Sequence, residues 1–147
     1  TPINADGTSE RRGVEVAATV RPTADIDLGL TYTYLHAEEA DGATEVRRPK
    51  HEGGVSATWR FLPGASASVD ARYVAGAKDL DFRAPFVAGK RVNLDDYLLV
   101  DVAASYQVTD GVEAYGRVSN LLDEDYEEVF GFDAPGVVVF LGLRARW

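Results

Sequence analysis

From Ile26 to Leu35 the chain alternates. Ile26, Leu28, Leu30, Tyr32 and Tyr34 fall on one side, and Asp27, Gly29, Thr31 and Thr33 on the other. Successive side chains of a strand point to opposite faces, so this period of two predicts a strand with one apolar and one polar face. The pattern recurs along the chain. Val14, Val16, Ala18 and Val20 alternate with Glu15, Ala17, Thr19 and Arg21; Val55, Ala57 and Trp59 with Ser56, Thr58 and Arg60; Ala67, Val69, Ala71 and Tyr73 with Ser66, Ser68, Asp70 and Arg72. Leu98, Val100, Val102, Ala104 and Tyr106 oppose Leu99, Asp101, Ala103, Ser105 and Gln107, and Val112, Ala114, Gly116 and Val118 oppose Glu113, Tyr115, Arg117 and Ser119. A last strand sets Val137, Val139, Leu141, Leu143, Ala145 and Trp147 against Val138, Phe140, Gly142, Arg144 and Arg146. The helical period is almost absent, and the fold class read from this is all-β, with seven strands.

The connections add an ordering. Residues 22–25, 61–64 and 108–111 are tight turns, whereas 36–50, 75–96 and 121–136 are long. Short and long joints alternate, so all turns leave one rim and all long loops the other. An antiparallel up-and-down transmembrane β-barrel sorts its joints this way; a Greek-key sandwich does not. Charged residues in mid-strand (Asp70, Arg72, Asp101, Arg117) then face a wet lumen and the apolar faces meet lipid. Aromatics gather at the rims, as an interfacial girdle requires: Trp59, Phe61 and Trp147 on the turn side, Tyr32, Tyr34, Tyr73 and Tyr97 on the long-loop side.

Composition narrows the picture. No apolar run is long enough for a spanning helix, but a spanning strand needs only about 9–11 residues, half of them facing lipid. Cys is absent, which removes disulfides and thiol chemistry. The net charge of -9 argues against nucleic acid as a partner. There is no Met and no leader-like opening segment, which leads us to expect a longer parent chain. Seven strands cannot close as a standard bacterial barrel, and open edges in lipid are costly, so the segment is expected to complete a larger wall with its missing strands on the N-terminal side.

Val118-Ser119-Asn120-Leu121-Leu122-Asp123-Glu124-Asp125-Tyr126, then Gly131–Gly136, then a final strand ending in Trp147 resemble the C-terminal motif of TonB-dependent outer-membrane receptors. Arg11–Glu15, Arg47–His51 and Val92–Tyr97 further resemble the cobalamin-receptor subfamily. The resemblance implies the C-terminal seven strands of a 22-stranded barrel, with residues 1–147 lying wholly in the barrel domain and the plug domain outside them. It implies a receptor in the outer membrane of a Gram-negative bacterium that takes up a scarce nutrient, a corrinoid foremost. Its partners would be membrane lipid and lipopolysaccharide, the remaining strands and plug, TonB acting through that plug, and the barrel-assembly machinery reading the strand that ends at Trp147. Loops 75–96 and 121–136 would meet ligand. The candidate contacts are Lys78, Asp79, Arg83 and Arg91 on the first, and Glu127, Phe130, Phe132 and Asp133 on the second.

Other candidate chemistry has plainer readings. The acidic run Asp123, Glu124, Asp125, Glu127, Glu128 and Asp133 matches no twelve-residue calcium loop and reads as a solvated loop. His36 and His51 close the two ends of one loop and read as rim histidines, since a metal centre needs further ligands. Phe82-Arg83-Ala84-Pro85 resembles the box of haem receptors but lacks its companion motif. Ser56, His51 and Asp70 form no recognisable catalytic set. No enzyme activity, catalytic residue, cofactor or metal is expected. Three alternatives stay open: a siderophore receptor with the same wall, a small eight-stranded structural or adhesive barrel, and a soluble β-sandwich binding module.

Overall fold

The computed structural model describes residues 7–83, 85 and 88–147. Among these, eleven strands run in order: β1 (Glu10–Thr23), β2 (Ile26–Glu38), β3 (His51–Leu62), β4 (Ala65–Ala75), β5 (Lys78–Asp81), β6 (Lys90–Asn93), β7 (Tyr97–Thr109), β8 (Val112–Ser119), β9 (Glu127–Val129), β10 (Phe132–Asp133) and β11 (Val138–Ala145). Seven of them form one antiparallel sheet in the order β1-β2-β3-β4-β7-β8-β11; β5–β6 and β9–β10 are separate hairpins. Every wall strand pairs with its predecessor in the wall, which is the up-and-down topology.

Register merges the alternating faces into two continuous ones. A single row runs Val20, Leu28, Ala57, Val69, Val102, Val118 and Val139 across all seven strands. The neighbouring row on the other face runs Asp27, Thr58, Ser68, Ala103, Arg117 and Phe140. A one-residue slip anywhere would exchange the faces, so the alternation itself fixes the register.

The apolar face has no covering layer. Val14, Val55, Val139 and Leu143 are exposed, and Leu141 is 84% exposed. A soluble sandwich would bury this face against a second sheet. The few buried apolar side chains, Ala37, Val74, Ala75, Ala77, Leu94 and Tyr97, lie at the long-loop rim, with Ala65 alone at the turn rim. The only packed core among the described residues therefore sits under the loops, and the apolar sheet face is left for lipid.

The three tight turns each carry a register shift, between Val20 and Thr23, Trp59 and Leu62, and Gln107 and Thr109. An extra residue on one strand sharpens the local twist and closes a hairpin without splaying it.

Four expectations change. The wall strands run further outward than their alternation: β1 begins at Glu10, β2 reaches Glu38 and β3 begins at His51. Backbone pairing continues there through Glu10, Arg11 and Arg12, whose charge hides the period. The final strand ends earlier, at Ala145. Loops 75–96 and 121–136 are not plain loops but contain the two hairpins. Tyr97 stands opposite Val74 and so lies on the lumenal face, not in the lipid-facing girdle; Tyr73, opposite Leu98, lies on the outer one.

Candidate functional site

The wall strands deliver three connections to one rim, and short-range chemistry shapes each. The exit from β8 is built by Asn120 and Asp123, with φ of 52° and 53°. Asn and Asp tolerate this left-handed region better than other residues with a Cβ. The buried Asn120 amide donates to the carbonyls of Glu124 (2.9 Å) and Pro135 (3.3 Å), and its oxygen accepts from the Glu124 N–H (2.9 Å). Asp123 accepts from the Val137 N–H at 3.1 Å, one residue before β11. A Cβ on Gly136 would stand 2.6 Å from that same carboxylate and would push it off the Val137 N–H. The Asn-Leu-Leu-Asp run is thus a turn-building device: it caps β8 and ties the departing chain to the returning one.

Below it, Asp101 on β7 accepts from the Asn120 N–H (3.0 Å) and Ser119 Oγ (3.3 Å) and pairs with Arg117. These bonds bolt the loop base to the lumenal wall. Asp70, directly across from Asp101, has no ion-pair partner among the described residues.

The loops then lock to one another. Arg47, at φ 57°, donates its backbone N–H to the Lys78 carbonyl (2.7 Å) and its Nε to Asp79 (3.0 Å). The other oxygen of Asp79 accepts from the Phe130 N–H at 2.9 Å. Lys78 Nζ donates to Thr44 Oγ1 (3.3 Å); Arg91 donates to the Thr44 carbonyl (2.5 Å) and Glu39 (2.6 Å). Arg83 forms a two-pronged pair with Asp81 (2.9 and 3.0 Å) and lies 4.5 Å over the Phe130 ring. Burial pushes the Asp79 carboxyl up, but the N–H groups of Phe130 and Leu80 and the Arg47 guanidinium outweigh it and hold it below the usual carboxylate value. Asp81 is held low by Arg83.

Under the loops, Arg72 bridges Glu52 (3.0 Å) and Glu128 (3.6 Å). Tyr97 donates to Glu128 (3.3 Å) and its ring meets Tyr126 at 4.6 Å. A cavity of about 310 Å³ lies against Arg47, Glu52, Arg72, Leu94, Tyr97 and Glu128. A second, of about 450 Å³, is lined by Asp95, Asp125, Tyr126, Glu127, Phe130 and Asp133. A hollow of about 630 Å³ with a mixed polar and apolar lining continues down the wall past Thr31, Gly54, Ser56, Asp70 and Asp101. Chemically this is a mixed-charge, aromatic-lined mouth suited to gripping a large polar solute by many weak contacts.

The eight candidate contacts divide within this arrangement. Asp79 is 1% exposed, with both oxygens engaged. Lys78 and Arg91 are committed to the first connection, Arg83 pairs with Asp81 of its own connection and covers Phe130, and Glu127 accepts from the Gly131 N–H (2.8 Å). Phe130 is half-buried under Arg83. Phe132, 72% exposed, and Asp133 present open surface. Residues of the mouth that sequence reasoning does not name as ligand contacts are Thr44, Arg47, Arg72 and Glu128; Arg72 reads there only as a lumenal charge, Glu128 only as part of the acidic run, Arg47 only as part of Arg47–His51, and Thr44 carries no signal. His36 contacts Glu38 (3.2 Å) and His51 contacts Tyr32 (2.8 Å); both lie in strands and not in a loop. No group of three or more His, Asp or Glu side chains among the described residues is placed to hold a metal ion. In the Phe82–Pro85 stretch, Ala84 lies outside the described residues.

A family model for the β-barrel of TonB-dependent receptors matches residues 1–121. The chain belongs to the TonB-dependent receptor family. It is therefore an outer-membrane protein, and its seven strands are barrel wall. This receptor segment is 31% identical over 140 residues to the vitamin B12 transporter BtuB of Vibrio cholerae, covering 95% of this chain and 22% of that protein. It is 33% identical over 132 residues to BtuB of Photobacterium profundum, covering 85% and 19%. The receptor segment thus spans about a fifth of the length of these relatives. Among solved structures it superposes on the ferripyoverdine receptor of Pseudomonas aeruginosa with a TM-score of 0.80 at 20% identity, covering 93% of this chain and 19% of that one. For the ferric-catecholate import receptor Fiu of E. coli, in its closed form, the values are 0.78, 19%, 95% and 21%. These likenesses carry the fold.

Proposed function

We propose that the receptor containing residues 1–147 as the C-terminal part of its barrel imports a corrinoid across the outer membrane. The observation that carries this reading is the likeness to vitamin B12 transporters along 95% of the chain. The polar mouth supports it, since a bulky solute rich in amides and a phosphate needs many donors and acceptors rather than one deep apolar slot. In this reading the segment contributes seven of 22 strands, and the plug that gates the lumen lies elsewhere in the parent chain. TonB works on the plug, and the barrel-assembly machinery reads β11 and the residues up to Trp147. Lipid and lipopolysaccharide cover the apolar face. Its action is transport without catalysis.

The second reading is a ferric siderophore receptor, favoured by the wall's close superposition on ferripyoverdine and ferric-catecholate receptors. The passive eight-stranded barrel falls to the family match, and the soluble sandwich to the uncovered apolar face. The deciding experiment expresses the full-length receptor in a host stripped of its own cobalamin transporter. Uptake of radiolabelled vitamin B12 that stops when TonB is deleted is the expected result. Uptake of a ferric chelate with none of vitamin B12 would replace the corrinoid by a siderophore.

A further inference from the structure

The three outer connections leave the wall far apart in sequence, and each is too short and too polar to fold on its own core. They nevertheless meet at one atom group. The Asp79 carboxylate, on β5, takes the Arg47 guanidinium from the first connection on one oxygen and the Phe130 N–H from the third on the other, at 3.0 and 2.9 Å. The carboxylate is buried although the Arg47 side chain is exposed, and a charge there without partners would be strongly disfavoured. Lys78 and Arg91 reach only the first connection, and Arg83 only the third. Remove the carboxylate and the middle hairpin keeps separate ties to each neighbour, but no other side chain among the described residues is seen to join all three at one point.

We infer that Asp79 is a positioning residue for ligand capture: by holding Arg47 and Phe130 on one carboxylate it makes the three outer connections a single body. That body frames the mouth, because Arg47 lines the 310 Å³ cavity and Phe130 the 450 Å³ one. Both walls of the mouth are therefore set from the same carboxylate. The inference rests on the receptor reading above for its functional half; its structural half does not.

The test uses the full-length receptor in detergent, wild type and the variants Asp79→Asn, Asp79→Glu and Arg47→Gln. Two quantities are read: hydrogen exchange of backbone amides in 39–50, 76–96 and 120–137, and vitamin B12 affinity. In Asp79→Asn, exchange should rise in all three segments together, by about tenfold, the scale of losing a buried charge-assisted bond. Wall amides should not change. Affinity should fall by a similar factor, with Asp79→Glu recovering part of both. Arg47→Gln should loosen the first segment and spare the third. Faster exchange confined to 76–96 would overturn the single-body inference. Joint loosening with unchanged affinity would overturn the positioning role. If the wild type binds no vitamin B12, the corrinoid reading fails, and the exchange pattern still decides whether Asp79 joins the loops.

Discussion

At the scale of single residues, the side chains that matter most bond to backbone. Asn120 satisfies two carbonyls and one N–H from a left-handed position. We predict that Asn120→Ala lowers the stability of the full-length receptor by about 2 kcal/mol, combining lost buried bonds with backbone strain. Asn120→Gly, which removes only the strain, should recover a minority of that. The fraction of heat-resistant folded barrel on unheated gels, followed with temperature, measures both; an unperturbed alanine variant would show that the motif is not the turn-building device described.

Asp79 and Asp81 give the outer cluster a pH limit. Both carboxyls are held below the ordinary 3.8. A depressed carboxylate stabilises the folded arrangement above its unfolded value, and that contribution is lost as pH falls through the lower folded value. The charged groups that hold the pair low are Arg47 on Asp79, and Arg83 and Lys90 on Asp81. The loops should therefore hold one spacing from neutral pH down to about pH 4 and separate only below 3.8. Spin labels at the exposed positions Asp41 and Asp133 would report the distance. A change centred near pH 6 would point to a different group.

At the scale of elements, the two faces of each strand obey different rules. Val102 sits in the middle of the apolar row, and Ser56 on the lumenal face opposite Asp70, which has no ion-pair partner among the described residues. Val102→Lys should cost about 2–4 kcal/mol of membrane stability, as a cation on the lipid face does near mid-bilayer. Ser56→Lys should cost little, because the hollow is wet and a carboxylate is within reach. The yield of assembled receptor in outer-membrane fractions distinguishes them; equal yields would mean the faces are assigned wrongly. For the outer hairpins, deleting 78–93 or 127–133 in the full-length receptor should each weaken vitamin B12 binding. If neither does, these hairpins do not touch the ligand.

At the scale of the whole molecule, β1 and β11 each pair on one side only, and the apolar face is uncovered. Two open edges and a bare apolar sheet are templates for aggregation in water and costly in lipid. Residues 1–147 expressed alone should collect in insoluble material and yield no monodisperse species without detergent, as seen by size exclusion. A soluble monomer with strand-type circular dichroism would contradict the wall assignment.

The wall itself was legible in the sequence because its cause is local. A period of two, short turns against long loops, and rim aromatics each reflect a strand whose one face must meet lipid, and that demand is written residue by residue. β8 matches its alternating stretch, Val112–Ser119, end to end. Where both faces are charged, as at Glu10–Arg12, or where a loop folds into a hairpin of a few residues, the period vanishes and the strand is set by backbone pairing alone. The arrangement of the mouth was decided only by the tertiary structure. Arg47, Asp79 and Phe130 span 84 residues of chain and share no pattern, yet two bonds to one buried carboxylate bring them together. No periodicity encodes such a meeting, because it depends on three connections arriving at the same rim and on which donors point inward once they do.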